Sequence, residues 1–198
     1  MSLVAVCDAS VDGRRAAFAV VLSDGRAFTH TYRLNHIVSS SATEARAVEY
    51  SVHRLHADFV VTDNFSGIKV CSEFQGILAR RNTGTAMRAA DRLARSALRS
   101  KLGQNGPEAV PFPETIDPDE WTIWERLFES QEATGQRFWV ERKAGQESTA
   151  RQMVESGLTS VWFSSKYQLV FQDLELATGS PVRSDNGSQQ PEDGYRQS

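Results

Sequence analysis

The sequence predicts an α/β domain whose sheet is antiparallel in its first half and parallel in its second half. Two Asp-Gly turns, Asp12-Gly13 and Asp24-Gly25, separate three runs of β-type residues. Helical periodicities then alternate with short apolar runs along the rest of the chain. With 198 residues, of which 40% are hydrophobic, the chain is long enough to bury one good core.

The first third of the chain predicts a three-stranded meander over residues 3–10, 16–22 and 27–34. Asp-Gly between such runs is the strongest short-range hairpin signal, because both central turn residues need positive φ. Two such turns in succession predict that the three strands are antiparallel neighbours.

A helix and a fourth strand follow the meander. Ala45, Val48, Val52 and Leu55 recur at i, i+3, i+7 and i+10. This spacing places them on one face of a helix over residues 42–55. Residues 58–62 form a short apolar run. We expect them to be a strand parallel to the first, because a helix separates the two.

The second half predicts further helices, one more core strand and a tail. The predicted elements are helices over 66–80 and 85–102, a Gly- and Pro-rich loop over 103–113, a helix over 118–132, a strand over 137–142 and a helix over 147–156. Residues 161–176 are apolar enough to pack on the domain, but their type stays open. We therefore expect one domain over residues 1–177, with a basic helical insert at about 80–102, and a disordered tail over 178–198.

Composition narrows the function classes. The net charge of -3 argues against a general nucleic-acid coat, yet residues 80–101 contain seven Lys or Arg and one acid. No apolar stretch approaches the roughly 18 residues that cross a bilayer, and the N-terminus does not resemble a signal peptide. We expect a soluble, intracellular protein without a membrane partner. Cys7 and Cys71 lie in apolar contexts and are interpreted as small core residues.

Asp8 lies inside the apolar run of the first predicted strand. A buried carboxylate costs several kcal/mol unless it is paired or binds a metal. Asp63 ends the fourth predicted strand, and Glu44 lies near the start of the first helix. If the first and fourth strands are parallel neighbours, the three carboxylates converge. Such hard oxygen ligands suit Mg²⁺ or Mn²⁺.

Glu44 and Asp63 also have simpler interpretations, whereas an aspartate in the middle of an apolar strand is uncommon. Ser41-Ala42-Thr43-Glu44 fits a capping box, and Asp63-Asn64 fits a helix N-cap or a turn. His53 and His56 lie three residues apart, but no further ligands stand at a recognisable spacing, so surface histidines are favoured. The occurrence of all three acids in order on suitable elements favours the metal site.

At these residues the chain resembles the ribonuclease H family. The resemblance rests on Cys7-Asp8-Ala9-Ser10 before a meander, on residues 41–47 around Glu44, and on Val61-Thr62-Asp63-Asn64. It covers residues 2–69 well and residues 138–155 more weakly. It implies a five-stranded ribonuclease H-like sheet and an endonuclease that cleaves the RNA strand of RNA/DNA hybrids by two-metal phosphodiester hydrolysis. The Thr-Asp-Asn element before an Arg-rich segment is most similar to the ribonuclease H domains of retroelement polymerases. This similarity implies that the chain is part of a polymerase or its partner.

The chain departs from the family at the fourth carboxylate, which follows a loop histidine on the last helix. Here Lys143 takes the place of the histidine, and Gln152 or Met153 that of the acid. Glu155, one turn further along, is the candidate substitute for the catalytic acid. Without a substitute, the alternative is a catalytically degenerate module that binds nucleic acid or a partner protein. A transposase, integrase or junction nuclease of the same fold is a second alternative. An actin-like kinase is disfavoured, because the chain is too short and has no Gly-rich phosphate loops.

A basic helix is the last candidate feature. Its arginines recur at i, i+4, i+7 and i+11 and form one stripe: Arg88, Arg92, Arg95 and Arg99. A second stripe is apolar: Ala86, Ala90, Leu93 and Ala97. The helix can therefore pack on the domain while its arginines face outward. An ordinary solvated face is the simpler alternative, but an acid-free stripe favours contact with nucleic-acid phosphates.

Overall fold

The computed structural model describes residues 2–64, 76–79, 83–100, 106–135, 137–141, 158–163 and 169–171, in which nine strands form one mixed sheet with three helices. The strands are β1 Val4–Asp12, β2 Arg15–Leu22, β3 Ala27–Arg33, β4 Phe59–Thr62, β5 Gly76–Ala79, β6 Glu108–Val110, β7 Arg137–Glu141, β8 Leu158–Phe163 and β9 Leu169–Phe171. The helices are α1 Ser40–His53, α2 Gly84–Arg99 and α3 Asp119–Thr134.

The sheet has the order β6-β3-β2-β1-β4-β5-β7-β8-β9. Strands β1, β2 and β3 form the predicted antiparallel meander, and β4 pairs with β1 in the predicted parallel direction. Gly13 and Gly25 have φ of 59° and 88°, as the two Asp-Gly turns require. Strands β5, β7 and β8 continue the parallel half. The mixed α/β sheet predicted from the sequence is confirmed.

The expected number of five strands is wrong. Strand β5 lies within the predicted helix over 66–80, and β6 lies within the predicted loop over 103–113. Strands β8 and β9 account for part of the segment whose type was open. A run of four apolar residues is too short for its periodicity to distinguish a strand from a helix. The pairing of β5 with β4 and β7 makes it a strand. Residues 66–75, the predicted helix over 147–156 and the predicted tail over 178–198 lie outside the described residues.

Strand β1 divides the core between two faces of the sheet. Val4 and Val6 pack in a cluster with Met87 of α2 and Trp124 of α3. The alternate residues of β1, which are Ala5, Cys7 and Ala9, belong to a second cluster. This cluster includes Val48 of α1. Because side chains alternate along a strand, Asp8 belongs to the set that faces α2.

Helix α2, which carries the basic stripe, packs on the core. Its buried residues pack against β1 and β2. The carboxylate of Glu120 accepts hydrogen bonds from the amides of Thr85 and Ala86 at the start of the helix. At the other end, Arg15 donates to the carbonyl oxygen atoms of Leu98 and Ser100. The packing and both caps fix the helix against the meander.

The tryptophans of α3 complete this side of the core. Trp121 and Trp124 are buried. The side chain of Trp139 lies outside the part of the chain whose side chains are described. None of the helices within the described ranges has the length and apolar character needed to cross a bilayer.

Candidate metal centre

Parallel pairing of β1 and β4 aligns Asp8 with Asp63. Val6 is opposite Val61 in the parallel register, so the residues two positions further along each strand reach the same level. Asp63 directly follows β4. Asp8 stays within the antiparallel ladder, opposite Ala19. The two carboxylates therefore meet where the parallel pairing of β1 and β4 ends.

Glu44 reaches the same place from helix α1. The helix begins at Ser40, and its N-cap is Ser39, whose hydroxyl accepts a hydrogen bond from the amide of Ala42 at 3.1 Å. Glu44 instead accepts a hydrogen bond from the Ser40 hydroxyl at 2.7 Å. The capping-box alternative for Glu44 is therefore wrong. Its carboxylate is available to the cluster.

Asn64 holds the start of α1 against the end of β4. It is buried, and its side-chain amide donates to the carbonyl oxygen of Ser41 at 2.8 Å. Its Oδ1 accepts from the Ser41 hydroxyl at 3.4 Å. Because Asn64 follows Asp63 and Ser41 precedes Glu44 by three residues, this bridge fixes the spacing of the two acids.

The three predicted acids come together as a cluster. One oxygen from each of Asp8, Glu44 and Asp63 lies within 4.8 Å of the others. Asp8 is buried, and Glu44 and Asp63 are half-buried. Three carboxylate oxygen atoms in this arrangement fit the donor set of a hard divalent cation such as Mg²⁺ or Mn²⁺.

The electrostatics of the cluster are unfavourable without a cation. Burial, and next the charge of Asp63, raise the pKa of Asp8 from 3.8 to about 8. The amide of Ala9 donates to Asp8 at 2.7 Å and lowers this pKa, but Asp91 and Glu44 raise it further. A bound divalent cation would reverse this balance, because opposite charge favours the ionised carboxylate.

A fourth carboxylate, Asp91, comes from α2. It is buried, it lies on the helix that packs against β1, and its charge raises the pKa of Asp8. Arg95 donates to its Oδ1 at 3.0 Å. The resemblance to the ribonuclease H family implied a fourth acid on the predicted helix over 147–156, after the last core strand. Strand β5, which was not predicted, pairs with β4, and α2 is the helix that follows it.

The signal for Asp91 is present in the sequence. It is the single acid among seven Lys or Arg between residues 80 and 101, and it lies on the apolar side of the helix, between Met87 and Ala94. The residues expected at the fourth position, Gln152, Met153 and Glu155, lie outside the described residues, as does Lys143, which takes the place of the family's loop histidine.

The basic helix has the exposed face that was predicted. Arg88, Arg92, Arg95 and Arg99 are all exposed. Two of the four have partners: Arg92 donates to the Thr115 hydroxyl at 2.8 Å, and Arg95 pairs with Asp91. The other two, Arg88 and Arg99, lie at the two ends of the stripe.

The remaining sequence candidates are structural. His53 and His56 are exposed, and neither joins a group of potential metal ligands within the described residues. Cys7 is buried, and burial raises the pKa of its thiol, as expected for a core residue. Cys71 lies outside the described residues.

Comparisons with protein-family models, with curated proteins and with solved structures find no match to this chain.

Proposed function

We propose that this chain is a metal-dependent endonuclease with a ribonuclease H-like fold that cleaves the RNA strand of RNA/DNA hybrids. The observation that carries the proposal is the convergence of Asp8, Glu44 and Asp63 within 4.8 Å at the end of two parallel strands. Burial of Asp8 among like charges has a chemical reason if the cluster binds divalent cations.

Each acid has a separate role in this proposal. Asp8 lies at the centre of the cluster, and Glu44 and Asp63 complete the oxygen donors on either side of it. Asp91 supplies a fourth carboxylate from the opposite helix. Divalent cations at such a site stabilise the attacking and leaving oxygen atoms of an in-line phosphoryl displacement.

The exposed arginines of α2 support a nucleic-acid substrate. They form an acid-free outer face on the same helix that carries Asp91. Arginine side chains on such a face contact phosphates and position a strand without reading its sequence. A duplex held there would present one backbone to the carboxylates.

Asp91 also bears on the degenerate-module alternative. That alternative rested on the lack of a fourth carboxylate, and Asp91 removes this reason. A nuclease acting on DNA alone has the same carboxylate chemistry, so the choice of substrate needs an experiment.

Cleavage of labelled substrates tests the proposal. An RNA/DNA hybrid, a DNA duplex and an RNA duplex of the same sequence are incubated with Mg²⁺ or Mn²⁺, with wild type and with Asp8→Asn. We expect cleavage of the hybrid RNA strand by wild type, about 10³-fold slower in Asp8→Asn because several kcal/mol of transition-state stabilisation is lost. Equal rates for the two proteins would refute the enzyme, and cleavage of the DNA duplex alone would identify a DNA nuclease.

The arginine face is tested separately by salt dependence of hybrid binding. Arg88→Gln and Arg99→Gln remove charges at the two ends of the stripe, and each should reduce the salt slope by about 1. Arg126→Gln, an exposed arginine on α3, is the matched control and should leave the slope unchanged. Slopes equal to that of wild type in all three variants would rule out phosphate contact by α2.

A further inference from the structure

A groove of about 300 Å³ lies between helix α1 and strands β2 and β3. It is separate from the carboxylate cluster. Most of the lining residues are aromatic or basic: Phe18, His30, Tyr32, Arg46, Tyr50, His53 and Arg54. One lining residue, Glu49, is acidic.

The base of the groove is a set of packed rings. Phe18 contacts His30 edge to face, with ring centres 5.2 Å apart, and Tyr50 at 5.6 Å. Tyr32 lies 5.5 Å from His30 on the same strand. Phe18 and Tyr32 are buried, so the rings that a planar ligand can contact are those of His30 and Tyr50, which are half-buried and held in place by the packed set.

The rim of the groove is basic. The guanidinium of Arg46 lies 4.7 Å from the centre of the Tyr32 ring, and Arg54 lies at the end of α1 near Tyr50. Both arginines are exposed, and Glu49 is the one acid among the lining residues. The groove therefore suits a ligand that combines a planar ring with an anionic group.

The Tyr32 hydroxyl adds an independent sign of a ligand. Tyr32 is only 9% exposed, and its hydroxyl oxygen is buried without a hydrogen-bond partner among the described residues. Nearly all buried polar atoms in native proteins have a partner. Because the oxygen is closed to solvent, a ligand in the groove would supply its missing partner when a covering side chain such as Arg46 moves aside.

We infer that the groove binds a nucleotide of a single-stranded nucleic acid, with its base against the rings and its phosphate at Arg46 and Arg54. Aromatic surfaces with basic rims are the usual means of holding single strands. Glu44 and Arg54 are ten residues apart on α1, which at 1.5 Å per residue is about 15 Å. A single strand leaving the carboxylate cluster would therefore pass along this groove. The inference goes beyond the proposed function, because binding in the groove requires neither the carboxylates nor a cation.

Binding of a fluorescein-labelled RNA of ten uridines, measured by anisotropy in EDTA, tests the inference. The Asp8→Asn protein is used throughout, so that a failure of hybrid cleavage does not affect the result. Tyr32→Phe, Arg46→Gln and Arg54→Gln should each weaken binding about fivefold, the loss expected for one hydrogen bond or phosphate contact. Arg126→Gln is the charge control and should change the affinity less than twofold. Unchanged affinity in all three groove variants would overturn the inference.

Two further measurements separate a ligand site from a structural cluster. If the Tyr32 hydroxyl has no partner in the free protein, Tyr32→Phe should not lower the melting temperature while it weakens RNA binding. A lower melting temperature with unchanged RNA affinity would mean that the hydroxyl serves the fold, and would contradict the inference. If uridine monophosphate displaces the RNA when the two are at the same concentration, the groove is a site for free nucleotides and not for a strand.

Discussion

Two buried carboxylates in this domain have opposite surroundings. Glu120 of α3 is fully buried and Asp8 of β1 is 4% exposed. Glu120 accepts hydrogen bonds from the Thr85 amide and hydroxyl at 2.5 Å each, and from the Ala86 amide and the Trp124 indole at 3.1 Å each. Its charge also lies at the positive end of helix α2.

Among the described residues, the Ala9 amide donates to Asp8, and the charges that act on its pKa are those of other acids. Asp63, Asp91 and Glu44 all raise its pKa, after the larger effect of burial. The comparison shows that burial alone does not reveal the role of a carboxylate. A carboxylate surrounded by donors stabilises the fold as an anion, whereas one surrounded by carboxylates holds a proton unless a cation offsets the repulsion.

The largest stability effect is expected at Glu120. Glu120→Ala leaves two amides, a hydroxyl and an indole N–H without their acceptor, and should lower the free energy of unfolding by ~4 kcal/mol. Urea denaturation measures this loss. The substitution should leave cation affinity per folded molecule unchanged. A variant as stable as wild type would show that Glu120 is not the cap of α2.

In the cation-free protein, the ionised carboxylate of Asp8 should lower the free energy of unfolding, whereas that of Glu120 raises it. Because burial and the neighbouring acids raise the pKa of Asp8 from 3.8 to about 8 on folding, the folded protein holds more protons than the unfolded chain between about pH 4 and pH 8. The free energy of unfolding in EDTA should therefore fall as the pH rises through this range, by ~3 kcal/mol between pH 5 and pH 8.

Asp8→Asn has no such carboxyl group, so this fall in stability should be absent, and the variant should be more stable than wild type at pH 8. Urea denaturation at several pH values measures both proteins. A wild-type stability that rises with pH would mean that Asp8 is stabilised as an anion by the protein itself.

Asp91 tests whether the cluster extends to a fourth acid. Asp91→Asn should weaken Mn²⁺ binding about 10–100-fold, the usual loss when a supporting group of a metal site is removed. Asp119→Asn, which removes an exposed acid of α3, is the control and should have no effect. Equal Mn²⁺ affinity in the two variants would confine the site to Asp8, Glu44 and Asp63.

The smallest effect is expected at Asn64. Asn64→Ala removes the bridge to Ser41 and should lower the free energy of unfolding by ~1–2 kcal/mol, with weaker Mn²⁺ binding because Glu44 is less well positioned. Gln131 is a matched control, since its buried amide donates to the carbonyl oxygen of Gly76, away from the acids. Gln131→Ala should lose similar stability without losing cation affinity. Equal losses of Mn²⁺ affinity in Asn64→Ala and Gln131→Ala would mean that Asn64 does not position Glu44.

The sequence predicted the parts of the fold that local chemistry determines. The Asp-Gly turns specify the meander, and the spacing along α1 specifies the helix that brings Glu44 to the cluster. Parallel pairing of β1 with β4 followed from the intervening helix, and it placed Asp63 correctly beside Asp8.

What the sequence did not reveal depends on long-range pairing. Strand β5 has four residues, too few for its period to be read, and only its position between β4 and β7 makes it a strand. The fourth carboxylate was missed for the same reason, because the helix that carries Asp91 follows β5. The Tyr32 hydroxyl and its groove arise from packing between α1 and the meander, which no local pattern encodes.

Calorimetric titration with Mn²⁺ at pH 8 tests most directly whether Asp8, Glu44 and Asp63 form a cation site. Wild type and Asp119→Asn should show saturable binding, and Asp8→Asn should show none, although it remains folded and is more stable than wild type in EDTA. Equal Mn²⁺ binding by wild type and Asp8→Asn would contradict the assignment.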